Sequence, residues 1–359
     1  MDPDEAWQVT GDVRSRQQHL LTEQIWVDCH FRVGSETNDK LIGAHKFILC
    51  LSSPVFQAML RGGLAVNDET IHVPDVEPLI FERLLKYIYT DEVTVESVDE
   101  ACQLYYAADK YIFPIVKNHC ISYLLGAIKY PTVCRIYEFA KFYNLSTIVE
   151  KCLEYIKTCT KQVINDASFM ELELSTIIEI FDQKYLAIET ELDLYKALSK
   201  YSSHHGLSRL NNPVEANTNN KSKNSETSAT NVQMESQSSN DKSTENPGHS
   251  SEIMQAKVTP NSDQNSPTID DALRRIRFLT LTPEQLASEL AENSLLSPLE
   301  GFGILMNVII PNKSYPMPEG FSTSRLSRKP KNTITFQPPT MYPPPAVYLS
   351  GYGRLPHPY

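Results

Sequence analysis

Val27-Asp28-Cys29-His30-Phe31-Arg32-Val33 and, ten residues on, Gly43-Ala44-His45-Lys46-Phe47-Ile48-Leu49 running into Ser52-Ser53-Pro54-Val55-Phe56 decide how this chain folds. The first stretch alternates. Val27, Cys29, Phe31 and Val33 fall on one face, Asp28, His30 and Arg32 on the other, the period-two signature of a half-buried strand. Residues 34–39 are polar and read as a hairpin turn, and residues 40–44 return as the partner strand. Ser53-Pro54 then supplies an N-cap and a proline at the first helical position, opening a helix that Gly62-Gly63 ends. Upstream, residues 13–25 form an amphipathic helix carrying Leu20, Leu21 and Ile25. Thr70-Ile71-His72-Val73 is a further short strand.

Beyond residue 73 the pattern turns helical. Pro78 opens a helix with Ile80, Phe81, Leu84, Leu85 and Ile88 at three-to-four spacing. Ser97 and Glu100 read as a capping box for a stripe of Val98, Ala101, Cys102, Tyr105 and Ala108, and Pro114 starts another helix. Short strands followed by helices describe a compact α+β domain. Residues 131–201 are helical throughout, with the stripes Val133, Ile136, Tyr137, Ala140, Tyr143 and Ile148, Cys152, Tyr155, Ile156, Cys159 joined by short connections, as in antiparallel helical hairpins.

From Asn211 to Pro267 there is no leucine and no aromatic residue. Such a stretch cannot offset its ordering entropy and reads as disordered. Periodicity returns at 268–310, where Thr282-Pro283-Glu284-Gln285 and Ser297-Pro298-Leu299-Glu300 are two capped helix starts. They read as the last hairpins of the same helical domain, the insert being looped out at a closure cost that grows only logarithmically with length. From residue 311 the chain is rich in proline and tyrosine and reads as extended coil. Its basic cluster, Arg325, Arg328, Lys329 and Lys331, reads as a solubilising tail, with contact to nucleic acid or an import receptor as the alternative.

The 359 residues carry 33 Lys+Arg against 44 Asp+Glu, a net charge of −11, which argues against a nucleic-acid binder because phosphate neutralisation needs clustered cations. No run approaches the roughly 18 apolar residues of a membrane span, and Met1-Asp2-Pro3-Asp4-Glu5 is acidic where a secretory signal would be basic. A soluble protein of the cytoplasm or nucleus is expected. The seven cysteines (29, 50, 102, 120, 134, 152, 159) show no Cys-x-x-Cys spacing, so neither a zinc site nor a disulfide framework is expected. No phosphate-binding, dinucleotide, zinc-protease or nucleophile-elbow motif occurs, and no cofactor, metal or catalytic site is expected. His45 reads as a buried, hydrogen-bonded histidine.

Residues 24–125 resemble a BTB/POZ domain. The resemblance rests on the two opening stretches, on Ile71-His72-Val73-Pro74-Asp75-Val76-Glu77-Pro78 with Phe81 and Leu84-Leu85-Lys86-Tyr87-Ile88-Tyr89-Thr90, and on Ala107-Ala108-Asp109-Lys110-Tyr111. Residues 126–204 and 268–312 are similar to a BACK domain, split by a disordered insert at 205–267 and followed by a disordered tail at 313–359; residues 1–23 form an N-terminal segment with the dimerisation helix. The chain looks like the BTB–BACK–PHR class of adaptors without the PHR β-sandwich.

That resemblance implies a non-enzymatic homodimer that binds Cullin-3 and brings a protein substrate to its ubiquitin ligase, the BACK and C-terminal part positioning the substrate. The alternative is a BTB scaffold or transcription-associated protein without a ligase. Asp28, His45 and Lys46 fall on family motif positions with structural roles. The dimer contact is expected at Leu20, Leu21 and Ile25, which have no obvious place in the core, and would be isologous. The cullin contact is expected at Met59, Leu60, Leu64 and Val66, bordered by Tyr111. The family's hydrophobic-x-Glu motif falls on Leu64-Ala65-Val66, which lacks the glutamate, so cullin affinity is expected to be weakened.

Overall fold

The computed structural model describes residues 6–61, 70–207, 209, 266–291, 295–311 and 315–328. In chain order, α1 (Ala6–Thr10) and α2 (Val13–Thr22) precede β1 (Cys29–Val33), β2 (Lys40–Ala44), α3 (Lys46–Ser52), α4 (Pro54–Arg61) and β3 (Thr70–Val73); α5 (Pro78–Thr90), α6 (Val98–Lys110) and α7 (Pro114–Gly126) follow. β1 is the central strand, antiparallel to β2 and parallel to β3, with Phe31 opposite Ile42 on one side and Ile71 on the other. The alternation read from the sequence is the burial pattern: Cys29, Phe31 and Val33 point into the core. Four rings fill the space between sheet and helices. Phe56 stacks on Tyr111 at 4.4 Å, Phe31 approaches Phe81 at 5.2 Å, and Phe31 meets Phe56 edge-on at 5.9 Å, geometries that aromatic quadrupoles favour.

β2 is an edge strand, and a side chain finishes its edge. Gln24 Oε1 accepts the Gly43 N–H at 2.9 Å, while Gln24 Nε2 donates to Leu21 O at 2.6 Å and to Gly43 O at 3.3 Å. A Cβ on residue 43 would stand 2.4 Å from Gln24 Oε1, so glycine alone lets the amide lie along the strand. The helix expected over 13–25 ends at Thr22, because Gln24 and Trp26 both take left-handed backbone angles, φ 52 and φ 58. The capping box expected at Ser97 is also altered. Ser97 Oγ accepts the Glu100 N–H, but the Glu100 carboxylate takes the N–H of Glu96 and pairs with Arg83 at 2.9 Å.

The helical part comprises α8 (Val133–Phe142), α9 (Ser146–Thr158), α10 (Thr160–Asn165), α11 (Leu174–Phe181) and α12 (Glu191–His204) before the insert, and α13 (Ile269–Arg274), α14 (Pro283–Ala291) and α15 (Pro298–Ile309) after it. α13 packs against α11 and α12, so the sequences on either side of the insert share one core. Both helix starts read from the sequence are capped as expected. Thr282 and Gln285 exchange bonds of 3.0 and 3.2 Å, and Ser297 and Glu300 form a capping box.

The expected boundary of the disordered tail at residue 313 does not hold. Residues 315–328 lie on the helical domain, with Phe321 buried and Arg328 2% exposed. Arg328 therefore does not belong to a solvated basic cluster; a buried carboxylate and two carbonyls hold it. Lys329 and Lys331 lie outside the described residues. Among the described residues no helix is long and apolar enough to cross a membrane. The seven cysteines are free. Burial pushes the Cys102, Cys120 and Cys152 thiols up to about 12 and Cys134 to about 11, which keeps them protonated at neutral pH and poor as nucleophiles or ligands.

Candidate protein-interaction surface

His45 follows β2 and precedes α3, and both ring nitrogens and its backbone N–H are engaged. Nε2 donates to Ile25 O at 2.7 Å, Nδ1 shares a hydrogen bond of 2.7 Å with the Tyr89 hydroxyl, and that same oxygen accepts the His45 backbone N–H at 3.0 Å. The imidazole thus ties the chain before β1 to α5. Its neighbour works alongside it: Asp28 Oδ1 accepts the Lys46 N–H at 2.7 Å, capping the N-terminus of α3 from outside the helix. Asp28, His45 and Lys46 act together as the device that sets the angle of α3.

α3 buries Leu49 and leaves Phe47 67% and Leu51 76% exposed. Phe47 and Leu51 are four residues apart and share a face. Trp26, 68% exposed, lies on the segment that His45 anchors. Apolar residues on two faces of one helix are the sequence signal for a second, external neighbour, and this face was missed in reading the sequence because α3 itself was not recognised.

The dimer residues expected from the sequence sit differently. α2 packs along α5 of its own domain, and Leu21 contacts the core; Leu20 and Ile25 are half-buried. These side chains thus have part of their surface covered within their own domain, where the sequence offered them no obvious place. Trp26, Phe47 and Leu51 are the more exposed apolar groups of this end.

On the next helix, Ser53 Oγ accepts the Phe56 and Val55 N–H groups at 3.3 and 3.1 Å and donates to Tyr111 O at 2.7 Å, bolting the start of α4 to the end of α6. Met59 and Leu60 are half-buried against the core on α4. Tyr111, expected to border the patch, is fully buried beneath α4, stacked on Phe56. It supports the patch from below and does not line it. Leu64 and Val66 lie outside the described residues.

This arrangement, a small mixed sheet with α3 and α4 projecting from it and helical hairpins behind, has a counterpart in sequence. Residues 17–128 match the BTB/POZ domain family and residues 133–215 the BACK family, described as BTB And C-terminal Kelch. The chain carries a BTB/POZ domain followed by a BACK domain. It is similar to BTB/POZ domain-containing protein 6-B of Danio rerio, 32% identical over 182 residues, covering 50% of this chain and 38% of that protein. It is also similar to human BTB/POZ domain-containing protein 6, 32% identical over 165 residues (46% of this chain, 30% of the relative), and to human BTB/POZ domain-containing protein 3, 29% identical over 185 residues (51% and 35%). The chain thus spans about a third of the length of the curated relatives it matches.

Proposed function

We propose that the chain is a non-enzymatic adaptor that dimerises through its BTB domain and binds Cullin-3, holding a protein substrate beside a ubiquitin ligase in the cytoplasm or nucleus. The observation that carries the reading is the exposed apolar face of α3, Phe47 and Leu51, together with exposed Trp26 on the segment that His45 ties down. A second copy covering it together with Leu20, Leu21 and Ile25 buries on the order of 1,600 Å². Met59 and Leu60 on α4, followed by Leu64 and Val66, supply the apolar part of a cullin contact. The adaptor does no chemistry; it raises the effective concentration of substrate at the ligase.

A scaffold without a ligase is the second reading, favoured by Val66 standing where the family motif carries glutamate. The loss of one charged hydrogen bond costs roughly 1.5–3 kcal/mol, one to two decades in affinity. Light scattering on the full chain at micromolar concentration is expected to give twice the chain mass, and Phe47→Asp with Leu51→Asp to reduce it to one. A wild-type mass of one chain refutes the dimer. Co-elution with the Cullin-3 N-terminal region is expected to be lost in Met59→Asp and tightened in Val66→Glu; no complex in either background leaves the scaffold.

A further inference from the structure

Residues 315–328 contain no helix or strand; besides local bonds such as Phe321 N–H to Pro318 O at 3.3 Å, they bond outward to Asn307 on α15 and to Arg275 at the end of α13. Two side chains anchor the segment. Phe321 is buried with its ring 6.0 Å from that of Phe278, and Arg328, seven residues later, is buried completely. Each guanidinium nitrogen of Arg328 has its own acceptor: Nε donates to Glu191 Oε1 at 2.8 Å, Nη2 to Arg275 O at 2.7 Å, and Nη1 to Gln183 O. Glu191 Oε2 accepts the Arg277 N–H at 3.1 Å. Between the anchors the backbone is read as well, Ser322 N–H by Arg274 O at 3.1 Å and Leu326 O by the Arg277 guanidinium at 3.0 Å, while the Leu326 side chain is 74% exposed. Deep anchors, backbone bonds and exposed residues between them are how a groove holds an extended peptide.

We propose that this groove, walled by the loop after α11, the N-terminus of α12 and the chain from α13 to Phe278, is a receptor site for an extended protein segment bearing an aromatic residue and an arginine seven positions on, which residues 315–328 occupy in cis. The chemistry of the empty groove selects the occupant. Without a guanidinium, Glu191 Oε1 and the Gln183 and Arg275 carbonyls lose the donors they have here, while Glu191 Oε2 keeps the Arg277 N–H. A guanidinium meets them from three nitrogens spread across a plane, where a lysine ammonium has its three donors on a single nitrogen. A buried ion pair of this kind adds selectivity more than stability, which suits a ligand that a partner segment of the same chemistry displaces. The site is remote from α3 and α4 in sequence and independent of the cullin and dimer reading.

The test uses the full chain with Arg328→Ala and a fluorescein-labelled synthetic peptide of residues 315–328, followed by anisotropy. The variant is expected to bind the peptide at least about tenfold more tightly than the wild-type chain, whose own segment competes at high effective concentration. Adding Glu191→Gln to the chain, or Arg328→Lys to the peptide, weakens binding about tenfold or more, the equivalent of one charged hydrogen bond. A folded Arg328→Ala chain that ignores the peptide, or binds the arginine and lysine peptides equally, overturns the proposal. If that variant does not fold, a wild-type chain carrying a protease site between residues 311 and 315 decides. After cleavage the C-terminal fragment is expected to stay bound and to be displaced by excess peptide but not by its Arg328→Ala form; immediate loss of the fragment, or no displacement, overturns it.

Discussion

Asp75 holds three bonds at once: Lys110 Nζ donates to its two carboxylate oxygens at 2.6 and 2.7 Å, and the Tyr106 hydroxyl donates to Oδ2 at 2.5 Å. Burial alone would push the Asp75 carboxyl up, but the bonds from Lys110 and Tyr106 together outweigh it and hold the group below its ordinary 3.8. A carboxyl depressed in the folded state contributes stability that is complete above the unfolded value and is lost as pH falls through the folded one. Asp75→Ala is therefore expected to lower stability by about 2–3 kcal/mol at pH 7, and the gap from wild type to narrow below pH 3.8. Urea melts of both proteins at pH 7 and pH 3 measure it, and an equal gap at the two pH values would show that the carboxylate charge is not what matters. Asp75 and Lys110 both stood out in the sequence as motif residues, but their pairing did not. They are 35 positions apart, and no periodicity links a loop before one helix to the last turn of another.

Elements whose ends are encoded within four residues were legible, and those capped from afar were not. Ser297 accepts the Glu300 N–H at 3.3 Å, and the Glu300 carboxylate returns bonds to the Ser297 N–H and hydroxyl at 2.9 and 2.8 Å, with Pro298 at the first helical position. Every part of that start lies in Ser297-Pro298-Leu299-Glu300. Ser297→Ala is expected to cost about 1 kcal/mol, read as a lower urea midpoint with unchanged slope; no change would mean that Pro298 and packing alone set the start of α15. α3 is the opposite case. His45 offers its N-terminus no side-chain cap, and the cap comes from Asp28 across β1 and β2. Only the fold brings the two together, so the helix, and with it the exposed Phe47–Leu51 face, was invisible to local reading. The segment at 315–328 failed for a related reason. An arginine in proline-rich chain looks solvated, and nothing within four residues of Arg328 announces Glu191, 137 positions away.

At the scale of the whole molecule, the long insert interrupts a domain without dividing it. Glu191 stands before the insert, Arg275 and Arg277 after it, and Arg328 beyond the last helix, yet all meet at one buried ion pair. Around it one apolar core takes in Val133, Ile177 and Leu198 before the insert and Ala272, Leu273 and Ile304 after it. A core shared in this way predicts one cooperative unit held by burial, the covalent link between the halves only lowering the entropy of bringing them together. A single cut between residues 209 and 266, at an inserted protease site, is expected to leave both pieces co-eluting in size exclusion and unfolding in one transition. Its midpoint should become concentration-dependent, because folding is then also association. Glu191→Gln in the cut chain should lower that midpoint further than in the intact chain, since the pair then helps to hold separate polypeptides together. Pieces that separate at micromolar concentration while each retains its own melting transition would mean that the sequences flanking the insert fold as independent bodies, and the shared core would have to be given up.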